Sequence, residues 1–110
     1  MATIEDFMKL DIRVGTVLTA EPLQGARVPA IKLSIDFGDE IGTKNSSAQI
    51  TERYTPQSMI GKQVIAVVNF PPRRIAGFKS EVLVLGAVPK KGDVILLNSD
   101  EPVPNGTPIA

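Results

Sequence analysis

The sequence predicts a mainly β fold, a small barrel built from short strands, and three observations predict it. Five or six runs are apolar or alternate strictly between apolar and polar residues, as half-buried strands do. A single short helix signal falls between the third and fourth of these runs. The 110 residues suit one domain and leave no room for a second core.

Each element has its own signal. Thr3 and Asp6 form a capping-box pattern with Asp in place of the usual Glu, so a short helix begins within residues 1–10. Ile4, Phe7 and Met8 share one face of it. Residues 11–18, from Asp11 to Leu18, read as a long strand. Gly15 inside it marks a bend of the kind needed when one strand serves both halves of a small barrel. Ile31, Leu33, Ile35 and Phe37 alternate on the buried face of the next strand, which Gly38-Asp39 ends as a turn. Residues 43–50 are polar and read as an exposed strand, with Lys44-Asn45-Ser46-Ser47 as its wet part.

Thr55-Pro56 starts a helix that runs to about Ile60, where Gly61 closes it. Val64–Val68, Glu81–Leu85 and Val94–Leu97 read as buried strands, the last two joined by a turn at residues 89–93. The tail, residues 98–110, carries Pro102, Pro104 and Pro108 and reads as an extended surface segment rather than a strand. Short strands in this number with one intervening helix favour a five-stranded Greek-key barrel of the OB type over a sandwich.

Composition narrows the function classes. Hydrophobic residues make up 43% and charged residues 22%, which is ordinary for a folded domain. Cysteine, histidine and tryptophan are all absent. That inventory excludes disulfides, thiolate nucleophiles, catalytic triads and zinc hydrolase sites, so no enzyme, metal or cofactor is expected. The N-terminus lacks a basic stretch followed by an apolar run, and no segment has the apolar length of a membrane span. A cytoplasmic protein with no membrane insertion is the expectation.

Net charge is zero but unevenly spread. Residues 1–52 carry five cations against eight acids, whereas residues 53–92 carry seven against Glu81 alone. Such a segment is either a solvated basic face or a patch that meets an anionic partner. The stretch Asn69-Phe70-Pro71-Pro72-Arg73-Arg74-Ile75-Ala76-Gly77-Phe78-Lys79-Ser80 is the most unusual in the chain. It lies between two strand-like runs, so it is a loop or broken hairpin on a rigid scaffold, where binding residues concentrate. Arg73, Arg74 and Lys79 suit phosphates or other anions, and the prolines stiffen the loop. Phe70 and Phe78 read more simply as closing the end of the barrel core, although stacking on a ligand is the alternative. Ile4, Phe7 and Met8 at one end and Val103 and Ile109 at the other find no obvious place in the core. They pack on their own barrel or on a second copy.

The residues Asp11-Ile12-Arg13-Val14-Gly15, Ser34-Ile35-Asp36-Phe37-Gly38 and the basic loop together resemble the tRNA-binding domain family. That family occurs as free-standing dimers and fused to aminoacyl-tRNA synthetases. Residues 26–33, 46–51, 67–74 and 102–106 resemble its branch of export-related bacterial chaperones. The resemblance implies an OB-fold homodimer that holds unfolded precursor proteins and cooperates with the Sec export machinery, with structured RNA such as tRNA as the alternative ligand. It implies contacts through Arg73, Arg74, Phe78, Lys79 and Ser80, with Lys44 and Asn69 beside them. It also favours a symmetric dimer through Ile4, Phe7, Met8, Val103 and Ile109. One departure stands out. Where tRNA-binding relatives carry a Gly-Met pair after the serine, this chain has Val82 and Leu83.

Overall fold

The computed structural model describes all 110 residues. Its centre is an antiparallel sheet in the order β3-β2-β1-β4-β7. These strands are β1 (Ile12–Pro22), β2 (Ile31–Asp36), β3 (Thr43–Ala48), β4 (Gln63–Val67) and β7 (Leu83–Val84). The sheet curls until β3 meets the chain just before β7. There the Glu81 and Val82 N–H groups both donate to the Asn45 carbonyl, at 2.8 and 3.3 Å. The result is the nearly closed five-stranded barrel that the strand pattern predicts.

The first strand does serve both halves. Residues Ile12–Thr16 pair with β4, and Thr16–Pro22 pair with β2. The register break falls at Leu18, between Val17 and Thr19, and not at Gly15. Gly15 is required for a different reason: a Cβ there would lie 2.7 Å from both Ile35 and the Phe37 ring. Glycine lets β1 close down on the core.

Two apolar clusters explain the run of consecutive apolar residues in β4. Val64 and Ala66 face the barrel interior with Val17, Ile31, Leu33, Ile35 and Phe37. Ile65 and Val67 face outward and join Ile12 and Val14 in a second cluster. A strand buried on both faces reads as continuous hydrophobicity. What covers the outer cluster is the C-terminal tail, with Val103 and Ile109 packed on it. The tail is more ordered than its prolines imply. Val14 N–H donates to Thr107 O at 3.0 Å, Gly106 N–H to Val14 O at 2.7 Å, and Ile109 N–H to Ile12 O at 2.9 Å. Pro108 faces Arg13 between these bonds, where no N–H is called for.

The short helices follow their caps. In α1 (Ile4–Met8), Thr3 and Asp6 make the reciprocal capping box, and in α3 (Pro56–Met59) Thr55 and Ser58 do the same. Other expectations need correction. Gly38-Asp39 is not a simple turn but the start of a one-turn helix, α2 (Gly38–Ile41). Ser46 is fully buried rather than wet, its hydroxyl donating to Val82 O at 2.9 Å. Only Leu83–Val84 of the expected strand at residues 81–85 is laddered, with Val82 in the core and Leu83 exposed. The chain then forms a separate hairpin, β8 (Gly86–Lys90) with β9 (Asp93–Leu96), so Pro89 and Lys90 belong to a strand.

Candidate functional site

Residues 69–80 fold as a hairpin, β5 (Arg73–Ile75) with β6 (Phe78–Ser80), joined by the two-residue turn Ala76-Gly77. Both turn residues have positive φ, 51° and 79°, the combination whose twist matches the flanking strands. Glycine adopts it freely. For Ala76 it costs about 1 kcal/mol. The tip rests beside Gly25 of the β1–β2 loop, so the hairpin leans on the barrel wall.

The register then decides which side chains meet. Arg73 pairs with Ser80, Arg74 with Lys79, and Ile75 with Phe78. Arg74 and Lys79 are thus two cations directly opposite one another, an arrangement that destabilises a bare hairpin by a few tenths of a kcal/mol. Neither they nor Arg73 has an acidic partner within 4.0 Å, although five other ion pairs form elsewhere in the chain. All three are exposed.

Beneath the hairpin runs the outer face of β2 and β3, where Lys32 sits directly opposite Ser47. Lys32 Nζ lies 5.8 Å over the Phe78 ring and 3.4 Å from the Glu21 carboxylate. Between this face and the hairpin opens a cleft of about 170 Å³. Phe70, Pro71, Ile75, Val82 and Leu83 supply its apolar walls, and Arg73, Ser47 and Ser80 its polar ones. Ser80 Oγ accepts the Ser47 N–H at 3.1 Å and pins the two sides together. The one acid lining the cleft is Glu81, whose carboxylate accepts the Asn45 N–H at 3.0 Å.

Arg73, Phe78 and Ser80 therefore share one face of the hairpin, whereas Arg74 and Lys79 project together from the opposite face and do not line the cleft. Neither phenylalanine closes the barrel end, since neither belongs to an apolar cluster. Phe70 stands half-exposed at the cleft and Phe78 lies under Lys32. Lys44 points to the face of β3 that carries the buried Ser46 and Ala48, opposite to Ser47. Asn69 is engaged in holding the N-terminal segment: its amide donates to Lys9 O at 2.8 Å and accepts the Asp11 N–H at 2.9 Å. Lys32 and Ser47 were missed by sequence reasoning, whereas Leu83, singled out with Val82 as a departure, does line the cleft. For Lys32 and Ser47 the signal was their place on the polar face of alternating strands, which became meaningful only once the hairpin folded over that face.

The termini divide. Val103 and Ile109 pack on the outer cluster of their own barrel. Ile4, Phe7 and Met8 all remain exposed, Phe7 the least of the three. Together with Leu10, Pro108 and Ile109 they line an apolar groove of about 360 Å³.

Two other arginines are structural. Arg13 reaches Asp11 at 2.6 Å, Glu40 at 2.9 Å and Gly106 O at 3.0 Å, and these carboxylates raise its pKa above the usual guanidinium value. Arg53 grips Asp93 with two nitrogens, and its hydrogen bond holds that carboxyl below the usual range. No group of three Asp or Glu side chains is placed to hold a metal ion. No helix is long and apolar enough to cross a membrane.

Comparison with known proteins agrees with this geometry. The family model of the tRNA binding domain matches residues 12–108. The methionine–tRNA ligases of Archaeoglobus fulgidus and Methanococcoides burtonii are 41% and 36% identical over 105 and 107 residues. Those matches cover 96% and 97% of this chain but only 15% of either ligase. Among solved structures, the chaperone CsaA of Bacillus anthracis superposes with a TM-score of 0.95 at 64% identity, covering 100% of this chain and 99% of that one. The CsaA chaperone protein of Picrophilus torridus gives 0.93 at 53% identity, with 100% of each chain covered. An OB-type barrel with a basic hairpin laid over its outer face, matched along nearly its whole length by one family model, places this chain in the tRNA binding domain family.

Proposed function

We propose that this chain is a non-catalytic, homodimeric chaperone of the cytoplasm that binds unfolded precursor proteins and hands them to the Sec export machinery. The observation that carries the reading is the cleft under the β5–β6 hairpin. It joins the apolar walls of Phe70, Pro71, Ile75, Val82 and Leu83 to an arginine with no acidic partner, a surface that suits the side chains of an extended polypeptide. Likeness to two CsaA chaperones along the entire chain supports it. Arg73, Arg74 and Lys79 contact the client, Ser80 lines the cleft, Phe78 lies beside it under Lys32, and Asn69 and Lys44 act from outside it.

The second reading, a tRNA-binding module, is favoured by the unpaired cations of the hairpin and by the likeness to part of two methionine–tRNA ligases. The two readings differ in salt dependence. RNA held through phosphates loses roughly one counterion per contact, so its affinity falls steeply with salt, whereas a polypeptide seated in an apolar cleft keeps most of its affinity. Titrating an unfolded polypeptide and a tRNA side by side across salt concentrations separates them. Polypeptide binding that survives high salt supports the chaperone; binding of tRNA alone overturns it.

The dimer rests on Ile4, Phe7 and Met8, an apolar face that soluble monomers rarely leave bare. In a symmetric pair each groove meets the same groove on its twin, with Val103 and Ile109 behind it. Phe7→Glu should shift the protein from dimer to monomer in sedimentation and lower its Tm. A wild-type chain that sediments as a monomer at micromolar concentration contradicts the dimer.

A further inference from the structure

We infer that Asn105-Gly106 is a deamidation site held shut by the docked C-terminal tail, and that its isoaspartate product leaves the tail unable to dock again. Of the four asparagines, this one alone precedes glycine, whose missing side chain lets its backbone nitrogen approach the asparagine amide most readily. In that reaction the Gly106 nitrogen loses its proton and bonds to Asn105 Cγ, the Cγ–Nδ2 bond breaks, and ammonia leaves. Water then opens the cyclic imide to aspartate or, more often, to isoaspartate, in which the main chain runs through the former side chain.

The fold restrains both reacting groups. Gly106 N–H donates to Val14 O at 2.7 Å, which ties the nucleophile into β1. Asn105 Oδ1 accepts the Thr16 hydroxyl at 2.6 Å and the Gln63 amide at 3.4 Å. Pro104 O accepts the Thr107 N–H at 3.2 Å around a Gly106 φ of 88°, so residues 104–107 form a type II turn. That turn holds the Asn105–Gly106 peptide rotated away from the ring-closed arrangement, and the imide forms only when the tail lifts from β1. The two products then differ in fit. A Cβ on Gly38 would lie 2.6 Å from Asn105 O, and one on Gly106 would lie 2.5 Å from Phe37 O. The extra main-chain methylene of isoaspartate has no room in such a contact. Aspartate fits, because Oδ1 is the only side-chain atom of Asn105 that hydrogen-bonds within the chain. An isoaspartate chain therefore loses the strap that lays Ile109 over the outer cluster.

Peptide mapping of the aged protein tests this, with the exposed Asn98-Ser99 as an internal reference. In denaturant, Asn105 should deamidate first. In the native protein its rate should fall about tenfold or more below the unfolded rate, and Asn98 should lead. Thr16→Val and Ile109→Ala each loosen the tail. In variants that still melt cooperatively, both should speed native conversion at Asn105 several-fold. The isoaspartate fraction, separated from the mixture, should melt well below the wild type, whereas Asn105→Asp should melt within about a degree or two of it. Native conversion at Asn105 as fast as in the unfolded chain overturns the inference. Slower conversion in Thr16→Val also overturns it, since the hydroxyl would then be polarising the amide for attack. An isoaspartate fraction that melts with the wild type overturns the loss of docking.

Discussion

Around the outer end of β1, Arg13 touches two carboxylates and the Gly106 carbonyl. On the β5–β6 hairpin, Arg73, Arg74 and Lys79 touch no carboxylate. The two regions carry the same chemistry in opposite states. At β1, a cation ties together the strand, the one-turn helix at Gly38–Ile41 and the C-terminal tail. Its surroundings are finished: Thr16 donates to Asn105, and Gln63 donates to Val103 O at 2.8 Å. The hairpin is unfinished. Like charges oppose each other across it, an alanine takes a glycine's conformation in its turn, and its cleft is empty of protein atoms. A cation matched by its own chain stabilises the fold; one left unmatched over an apolar cleft is available for a partner.

Substitutions should separate the two states, the largest effects coming where the chain is finished. Val82 and Leu83, the adjacent pair that the sequence singles out after the basic loop, fall on either side of this line. Val82 is core, so Val82→Gly should cost about 2–3 kcal/mol in chemical denaturation from the lost packing and the added chain freedom. Leu83 is an exposed cleft wall, so Leu83→Met should leave stability within about 0.5 kcal/mol and change only ligand affinity. Next comes Arg13→Ala, which leaves two carboxylates and a half-buried carbonyl without their donor. A loss of about 1–2 kcal/mol with client binding unchanged is expected.

Acid provides a further contrast. Arg53 holds the Asp93 carboxyl below its unfolded value, so this pair stabilises the fold fully above the ordinary carboxylate range. The contribution fades as pH falls through the depressed value. Asp93→Asn should therefore flatten the acid limb of a stability–pH profile. The hairpin cations, having no acid partner in the fold, should leave that limb unchanged when replaced.

Much of the barrel was legible in the sequence because its signals are local. The alternation of Ile31 to Phe37 and the caps at Thr3 and Thr55 each depend on neighbours a few residues away. Apart from two local boundaries, the helix at Gly38 and the strand end at Pro89-Lys90, the failures were long-range. Ser46 reads as wet because nothing nearby announces that Val82 will offer it a carbonyl. The tail is extended and forms no strand, as it reads, but its prolines hide that the N–H groups between them meet the hydrogen-bonding needs of β1 at the other end of the chain. Gly15 reads as a bend, but its reason is the Phe37 ring across the barrel. The site divided in the same way. Arg73, Arg74 and Lys79 stood out as a local cluster without acids, while Lys32 and Ser47 entered it only through the β2–β3 register.

The most direct measurement compares the wild-type chain with an Arg73→Ala, Arg74→Ala variant for binding to an unfolded polypeptide, beside thermal melts of both. Because neither arginine has an acidic partner in the fold and Arg74 makes only a long, exposed hydrogen bond to the Gly77 carbonyl, the variant should melt within a degree or two of the wild type, and its affinity should fall about tenfold. Normal binding by a well-folded variant would contradict the assignment of the hairpin as the binding surface.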